Sequence, residues 1–225
     1  MSAIEILQFI TALSNNNNRE WFLEHKSEFE AAKKAFDNLS STLILEISKF
    51  DPEIKNVNAA DCIFRIYRDI RFSHDKTPYK SHFAVFIATD GGRKSQRAGY
   101  YLHVDPAGCF IASGAWCPEP NLLKALRKSV YENIDEFNEI RNEKTFTNYF
   151  TNFYQQDKIK KIPAGFPKDF EEAELLKLKH YMVEYKLNDE MLCSKNFVQE
   201  IANIYKASYP LNRFLNYTID ECLKI

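Results

Sequence analysis

Ile4, Leu7 and Ile10, with Phe9 and Leu13 beside them, recur at helical spacing and predict a short amphipathic helix that the run Asn15 to Asn18 closes. A second stripe then reads Trp21, His25, Phe29, Ala32, Phe36, Leu39, Leu43 and Ile47. Its steps of three or four predict one long helix ending near Phe50, before Asp51-Pro52. Asn17 as N-cap with Glu20 three residues on fits a capping box at its start. On this stripe His25 reads as a satisfied core histidine rather than a ligand.

After residue 60 the period changes to alternation. Cys62 to Arg68, His82 to Thr89, Ala98 to Val104 and Cys109 to Ala115 are strand-length, rich in β-branched and aromatic residues, and bounded by turn chemistry. They predict a four-stranded meander, antiparallel because Asp90-Gly91-Gly92 and Asp105-Pro106-Ala107-Gly108 are such short connections. Beyond residue 118 the pattern is mainly helical, with Pro120 at a helix start and apolar positions from Leu122 through Phe153. Lys160 to Lys168 reads as a loop. Leu175 to Leu187 suits both periods, and is read as a short helix followed by a fifth strand from about Lys179. Two further helices, separated at Pro210, complete the chain.

The expected class is therefore α+β: an antiparallel meander sheet of four to five strands packed with N-terminal and C-terminal helices. One domain is expected over 1–225, helical over 1–50, sheet over 60–116, and mainly helical over 118–225 with the fifth strand near 179–187. Composition supports a globular core, with 45% hydrophobic residues, 18 Phe and 12 Tyr. A net charge of -1 gives no global attraction to nucleic acid or acidic membranes, so an anion site must be local. Six Gly leave no G-x-G-x-x-G or Walker loop, and Gly92-Arg93-Lys94-Ser95 reads as a hairpin loop. Five Cys without a C-x-x-C pair read as reduced thiols. With neither a signal peptide nor an apolar span, the expected location is cytoplasmic, with no membrane partner.

Several segments together resemble the domain of unknown function 2461 family. They are Asn16 to Phe22, Phe64 to Lys80 (FRIYRDIRFSHDKTPYK), Gly99-Tyr100-Tyr101-Leu102-His103, Trp116 to Pro120, Gly165-Phe166-Pro167-Lys168 and Pro210-Leu211. The resemblance runs from about Phe9 to Leu215. It implies a microbial protein of a single domain, and brings no activity, substrate or catalytic residue with it.

The chemistry-bearing stretch is 61–97, where eight Lys or Arg (Arg65, Arg68, Arg71, Lys76, Lys80, Arg93, Lys94, Arg97) face four Asp, a local excess of four positive charges. Arg65, Arg68 and Arg71 at intervals of three can build an anion clamp, or else pair with Asp69 and Asp75 and brace the connection. Strand alternation groups His82, Ala84, Phe86 and Ala88; Gly99, Tyr101 and His103; and Phe110, Ala112, Gly114 and Trp116. The small residues leave room above a sheet for a ligand or for a closely packed helix. In the ligand reading His82 and His103 are general acid and base. Arg65, Arg68, Arg71 and Lys76 hold an anion, Tyr79 and Lys80 flank the entrance, Tyr101 lies on the same face, and Trp116 stacks on an apolar part.

The triplet His103-Val104-Asp105 with His180 imitates a two-His, one-carboxylate iron site. Asp105 begins a turn, where Asp is expected anyway, and no Arg follows His180 to hold an oxoacid, so no metal ligands are assigned. The leading expectation is a site, enzymatic or not, for a small molecule bearing phosphate or carboxylate. The alternatives are a nucleic-acid module stacking bases on Tyr100, Tyr101 or Trp116, and a structural or protein-interaction domain without ligand. Neither a cofactor nor an oligomeric state is specified by the sequence.

Overall fold

The computed structural model describes residues 3–225. Its sheet has four strands, β1 (Phe83–Ile87), β2 (Gly99–Val104), β3 (Phe110–Ala115) and β4 (Tyr181–Lys186), in the order β1-β2-β3-β4 and antiparallel. Helices precede and follow it, giving the expected α+β class. The chain folds as two compact units, each discontinuous in sequence. The first comprises the described residues up to 94 together with 101–111 and 186–203, and the second 95–100, 112–185 and 204–225.

In the first unit, α1 (Ala3–Asn15), α2 (Arg19–Glu24) and α3 (Lys26–Ile47) supply an apolar stripe that closes on β1. Phe9, Phe29 and Phe36 all reach Phe83, with Phe36 at 5.2 Å between ring centroids. Phe36 is fully buried, and its truncation to alanine costs about 3–5 kcal/mol. The long helix expected from residue 18 to 50 is broken at His25. Its imidazole Nδ1 bonds the Trp21 carbonyl at 2.9 Å and its ring stacks on the indole at 4.0 Å, with the backbone at φ -102°, ψ 23°. His25 is thus half-buried at a helix junction and not in the core. The N-cap is Asn18, whose side chain accepts from the Trp21 N–H at 2.9 Å. Asn17 bonds the Tyr79 backbone instead, donating at 2.9 Å and accepting at 3.2 Å.

The first expected strand, Cys62 to Arg68, is not one. Ala59–Cys62 forms a helical turn, α4, and the chain beyond it pairs through two isolated antiparallel bridges, Ile63 with Val85 and Tyr67 with Tyr79. Pro78 has no N–H to give a continuous ladder, although its carbonyl accepts from Arg68 at 3.0 Å. The sheet recovers its fourth strand from 181–186, where a fifth was expected.

In the second unit, α5 (Pro120–Glu132) buries Leu122, Leu126 and Val130 at i, i+4 spacing. It is followed by α6 (Ile134–Asn142), α7 (Lys144–Thr147) and α8 (Ala173–Leu176). Phe137 stacks on Phe153 at 5.5 Å and meets Phe214 at 5.2 Å. Gly114 has φ 124°, and a Cβ there would lie 2.1 Å from the Tyr181 carbonyl oxygen, so the approach of β3 to β4 requires glycine. After α9 (Asp189–Cys193), a single helix α10 (Phe197–Leu223) runs through Pro210, where two helices were expected. Proline removes one backbone bond, yet the turns after it are anchored by burial of Leu211, Leu215 and Ile219. Asn212 bonds Gly99 and Ser113, and Asn216 bonds both backbone groups of Ala98. That helix packs on the face of the strands that carries Tyr100 and Ser113. No helix among the described residues is long and apolar enough to cross a membrane, and all five cysteines are free.

Candidate functional site

His82 lies at the entry to β1, His103 in β2, and Asp105 at the first position of the turn from β2 to β3. Alternation places Tyr101 and His103 on one face of β2, and Phe110 stacks under His103 at 4.8 Å between centroids. The His82 ring meets His103 at 4.4 Å. His82, Tyr101, His103 and Phe110, drawn from the three alternating groups whose register the sequence leaves open, are therefore together in the first unit.

Asp105 is used twice. Its Oδ1 accepts from the Ala107 N–H at 2.8 Å and its carbonyl from the Gly108 N–H at 3.0 Å, the turn role expected of it. Its Oδ2 faces the imidazoles, 3.8 Å from His82 Nδ1 and 3.5 Å from His103 Nε2, with the Ser81 hydroxyl at 3.4 Å. His103 Nδ1 contacts the Tyr101 hydroxyl at 2.9 Å. Among the described residues, His82 has no hydrogen bond from either ring nitrogen. The side chains of His82, His103 and Asp105 are 27%, 15% and 16% exposed, so solvent reaches the cluster without flooding it.

Burial pushes His82 down to about 4, with the charges of His103 and Lys80 acting the same way and Asp105 opposing. Burial also lowers His103, against the pull of Asp105. Both imidazoles are consequently neutral at pH 7 and offer lone pairs. Burial raises the Tyr101 phenol to about 12, so it keeps its proton. His82, His103 and Asp105 each offer a ligand atom within 4.8 Å of the others, and they are the one such set of His, Cys, Asp and Glu found among the described residues.

The family model for "Conserved hypothetical protein (DUF2461)" matches residues 5–214. The chain belongs to that family. No curated protein and no solved structure matches it.

The other expected site residues of this DUF2461 protein are distributed as follows. Lys80 is half-buried, with Nζ 5.2 Å from the Phe64 ring centroid; Phe64 in turn meets Tyr101 edge-on at 6.3 Å. Arg65 is exposed and close enough to Lys80 to lower its pKa, after burial as the larger cause. Arg68 bonds Asp75 and Thr77, Arg71 grips Asp69 through two bonds of 3.0 and 2.7 Å, and Lys76 donates to the Ile70 carbonyl at 3.0 Å. These three brace the 68–78 connection and do not converge on the imidazoles. Tyr79 is 6% exposed and stacked on Phe22 at 4.0 Å, so it is a core residue with no entrance to flank. Tyr100 is buried against Tyr205 in the second unit and offers no platform for a base.

Trp116 also belongs to the second unit, stacked on His180 at 4.0 Å. His180 accepts at Nδ1 from the Cys117 N–H at 2.9 Å, and its Nε2 bonds Asp157 at 3.1 Å. In the DUF2461 chain the partner of the His103-Val104-Asp105 triplet is thus His82, where the sequence offers His180. The signal is present in the sequence: i, i+2 spacing puts His103 and Asp105 on one face, and alternation brings His82 forward as a candidate beside them. What hides it is the turn role of Asp105, which is enough by itself to explain an Asp at that position. Clefts of about 590, 410, 580 and 380 Å³ occur elsewhere, and of the expected site residues only Lys76 lines one.

Proposed function

We propose that this DUF2461 protein binds a small molecule bearing a phosphate or carboxylate group at the His82–His103 cluster, and that the imidazoles move protons on it. One observation carries the reading: Lys80 stands near the uncharged His82 imidazole with Arg65 close beside it, Lys80 pairs with no carboxylate among the described residues, and Arg65 acts on Asp69 only weakly, through its charge. Most cations of the same basic stretch do have partners, Arg68 and Arg71 in Asp75 and Asp69, and Arg93 in the carbonyls of Ala60 and Asp61. A half-buried ammonium next to a second cation gains from an anion that neutralises both. The ligand is small, because the cluster's side chains are only partly exposed and none of them lines one of the clefts. Near neutral pH His82 is a weak base whose free lone pair is suited to accept a hydrogen bond from the ligand, and the protonated Tyr101 phenol holds His103, the other proton carrier, in place.

Calorimetric titration of the full chain with inorganic phosphate and with succinate tests this. Lys80→Met and Arg65→Met should each weaken binding about tenfold, a loss of roughly 1.4 kcal/mol, whereas Arg71→Met leaves it unchanged. Absence of binding by either anion, or equal binding by the Lys80 and Arg65 variants, overturns the reading.

A further inference from the structure

Asp105 presents a carboxylate oxygen to the same ground that an anion would occupy. Its Oδ2 stands 3.5 and 3.8 Å from the two imidazoles, longer than the usual N–H···O bond of about 2.7–3.2 Å. An incoming oxyanion would meet like charge. A cation seated among the three groups removes the conflict.

The donor geometry fits one. Metal–ligand bonds of about 2.0–2.2 Å put neighbouring donors roughly 3.0–3.6 Å apart in octahedral or tetrahedral coordination. His103 Nε2 and Asp105 Oδ2 already stand at 3.5 Å and His82 Nδ1 is 3.8 Å from Oδ2, while the three donors lie within 4.8 Å of one another, so the His82 ring would draw in toward the other two on binding. The supporting contacts are those such a centre uses. With Nε2 on a metal, the proton of His103 sits on Nδ1 and is donated to the Tyr101 hydroxyl oxygen at 2.9 Å, fixing tautomer and ring orientation. The Ala107 N–H holds Oδ1 of Asp105, so the carboxylate offers one oxygen, and the Ser81 hydroxyl lies 3.4 Å from it.

We propose that His82 Nδ1, His103 Nε2 and Asp105 Oδ2 form a binding site for a divalent transition-metal ion, such as zinc or iron(II), with its remaining positions open to a small oxyanion. Two imidazole nitrogens and one carboxylate suit these borderline ions better than calcium or magnesium, which favour all-oxygen sites. The ligand set carries one negative charge, so the loaded site carries one positive charge and adds to the attraction that Lys80 and Arg65 exert on an anion. Metal binding stands on the three donors alone; the open positions for an oxyanion rest on the function proposed above.

The test uses the full chain stripped by chelator and dialysed, then titrated calorimetrically with zinc, with cobalt(II) absorption as a second readout. One equivalent should bind per chain, and His103→Ala and Asp105→Asn should each weaken it at least about a hundredfold, at the upper end of the loss that even a supporting partner causes. Asp105→Asn keeps an oxygen acceptor for the Ala107 N–H, so its turn and its melting temperature without metal should persist. His74→Ala, at an exposed histidine outside the cluster, should bind as the wild type does. Failure of zinc and cobalt to bind at one equivalent, or unaltered binding by the His103 and Asp105 variants, overturns the proposal. Succinate separates the two sites. If it binds the stripped protein while no metal does, the metal site falls and the anion site stands. If metal binds and succinate binds neither form, the anion site falls and the metal site stands.

Discussion

Two histidine–aspartate clusters lie in different units of this molecule and make opposite use of the same residue types. At His180 both ring nitrogens are occupied, by the Cys117 N–H and Asp157, and the ring is 3% exposed between Trp116 and Tyr154. Its bond also supports Cys117 in a left-handed conformation, φ 50°, that a non-glycine residue seldom adopts. At His82 neither ring nitrogen has a hydrogen bond among the described residues, and the nearest carboxylate oxygen stands off at 3.8 Å. A buried polar group with all its bonds made is part of the architecture, whereas a half-buried one with lone pairs to spare is a place for something else to bind.

The largest effect that sharpens this contrast concerns stability. His180→Ala should orphan the Cys117 N–H and open a cavity, costing about 2–3 kcal/mol, or about 5–10 °C in Tm for a chain of this size. His82→Ala should stay within about 1 kcal/mol, because no hydrogen bond is lost. Thermal melts that rank the two variants equally would break the distinction.

A pH series gives the next effect. The folded-state pKa of His82, about 4, lies below the ordinary 6.5, so on acidification the unfolded chain takes up this proton first. Stability from this group is complete above about pH 6.5 and is lost as pH falls toward 4. In metal-free buffer, the Tm of the wild type should therefore drop between pH 7.5 and 5, and His82→Gln should flatten part of that drop. An identical slope in the variant would contradict the neutral, buried imidazole described here. The smallest effect is at the 68–78 connection, where Arg71→Ala removes a solvent-exposed pair with Asp69 and should move Tm by less than about 1 °C. A drop of several degrees would mean that this brace matters to the fold.

Legibility follows how local the determining physics is. The stripe from Phe29 to Ile47, the hairpin at Asp105 to Gly108 and the short helix before β4 are set by near neighbours, and each stands where periodicity puts it. The departures come from contacts distant in sequence or from one side chain overriding its helix. His25 breaks a helix by bonding the Trp21 carbonyl, and α10 passes through Pro210 because Asn212 and Asn216 reach β2 and β3. At the site, His82, Tyr101 and His103 are readable from alternation, but their convergence depends on strand register, which alternation does not encode. Asp105 escapes notice because its Oδ1 does satisfy a turn; the Oδ2 role needs His82, more than twenty residues earlier, and is invisible to local spacing. Tyr79 and Trp116 stand out in the sequence as aromatics near cations, and stacking on Phe22 and His180 gives each a structural role.

The most direct measurement is histidine side-chain NMR on the full chain, stripped of metal and titrated with zinc. The imidazole resonances of His82 and His103 should shift together and saturate at one equivalent, while those of His180 stay in place. Movement of His180, or silence at His82 and His103, would contradict the claim that the cluster beside β1 and β2 is the one open to a ligand.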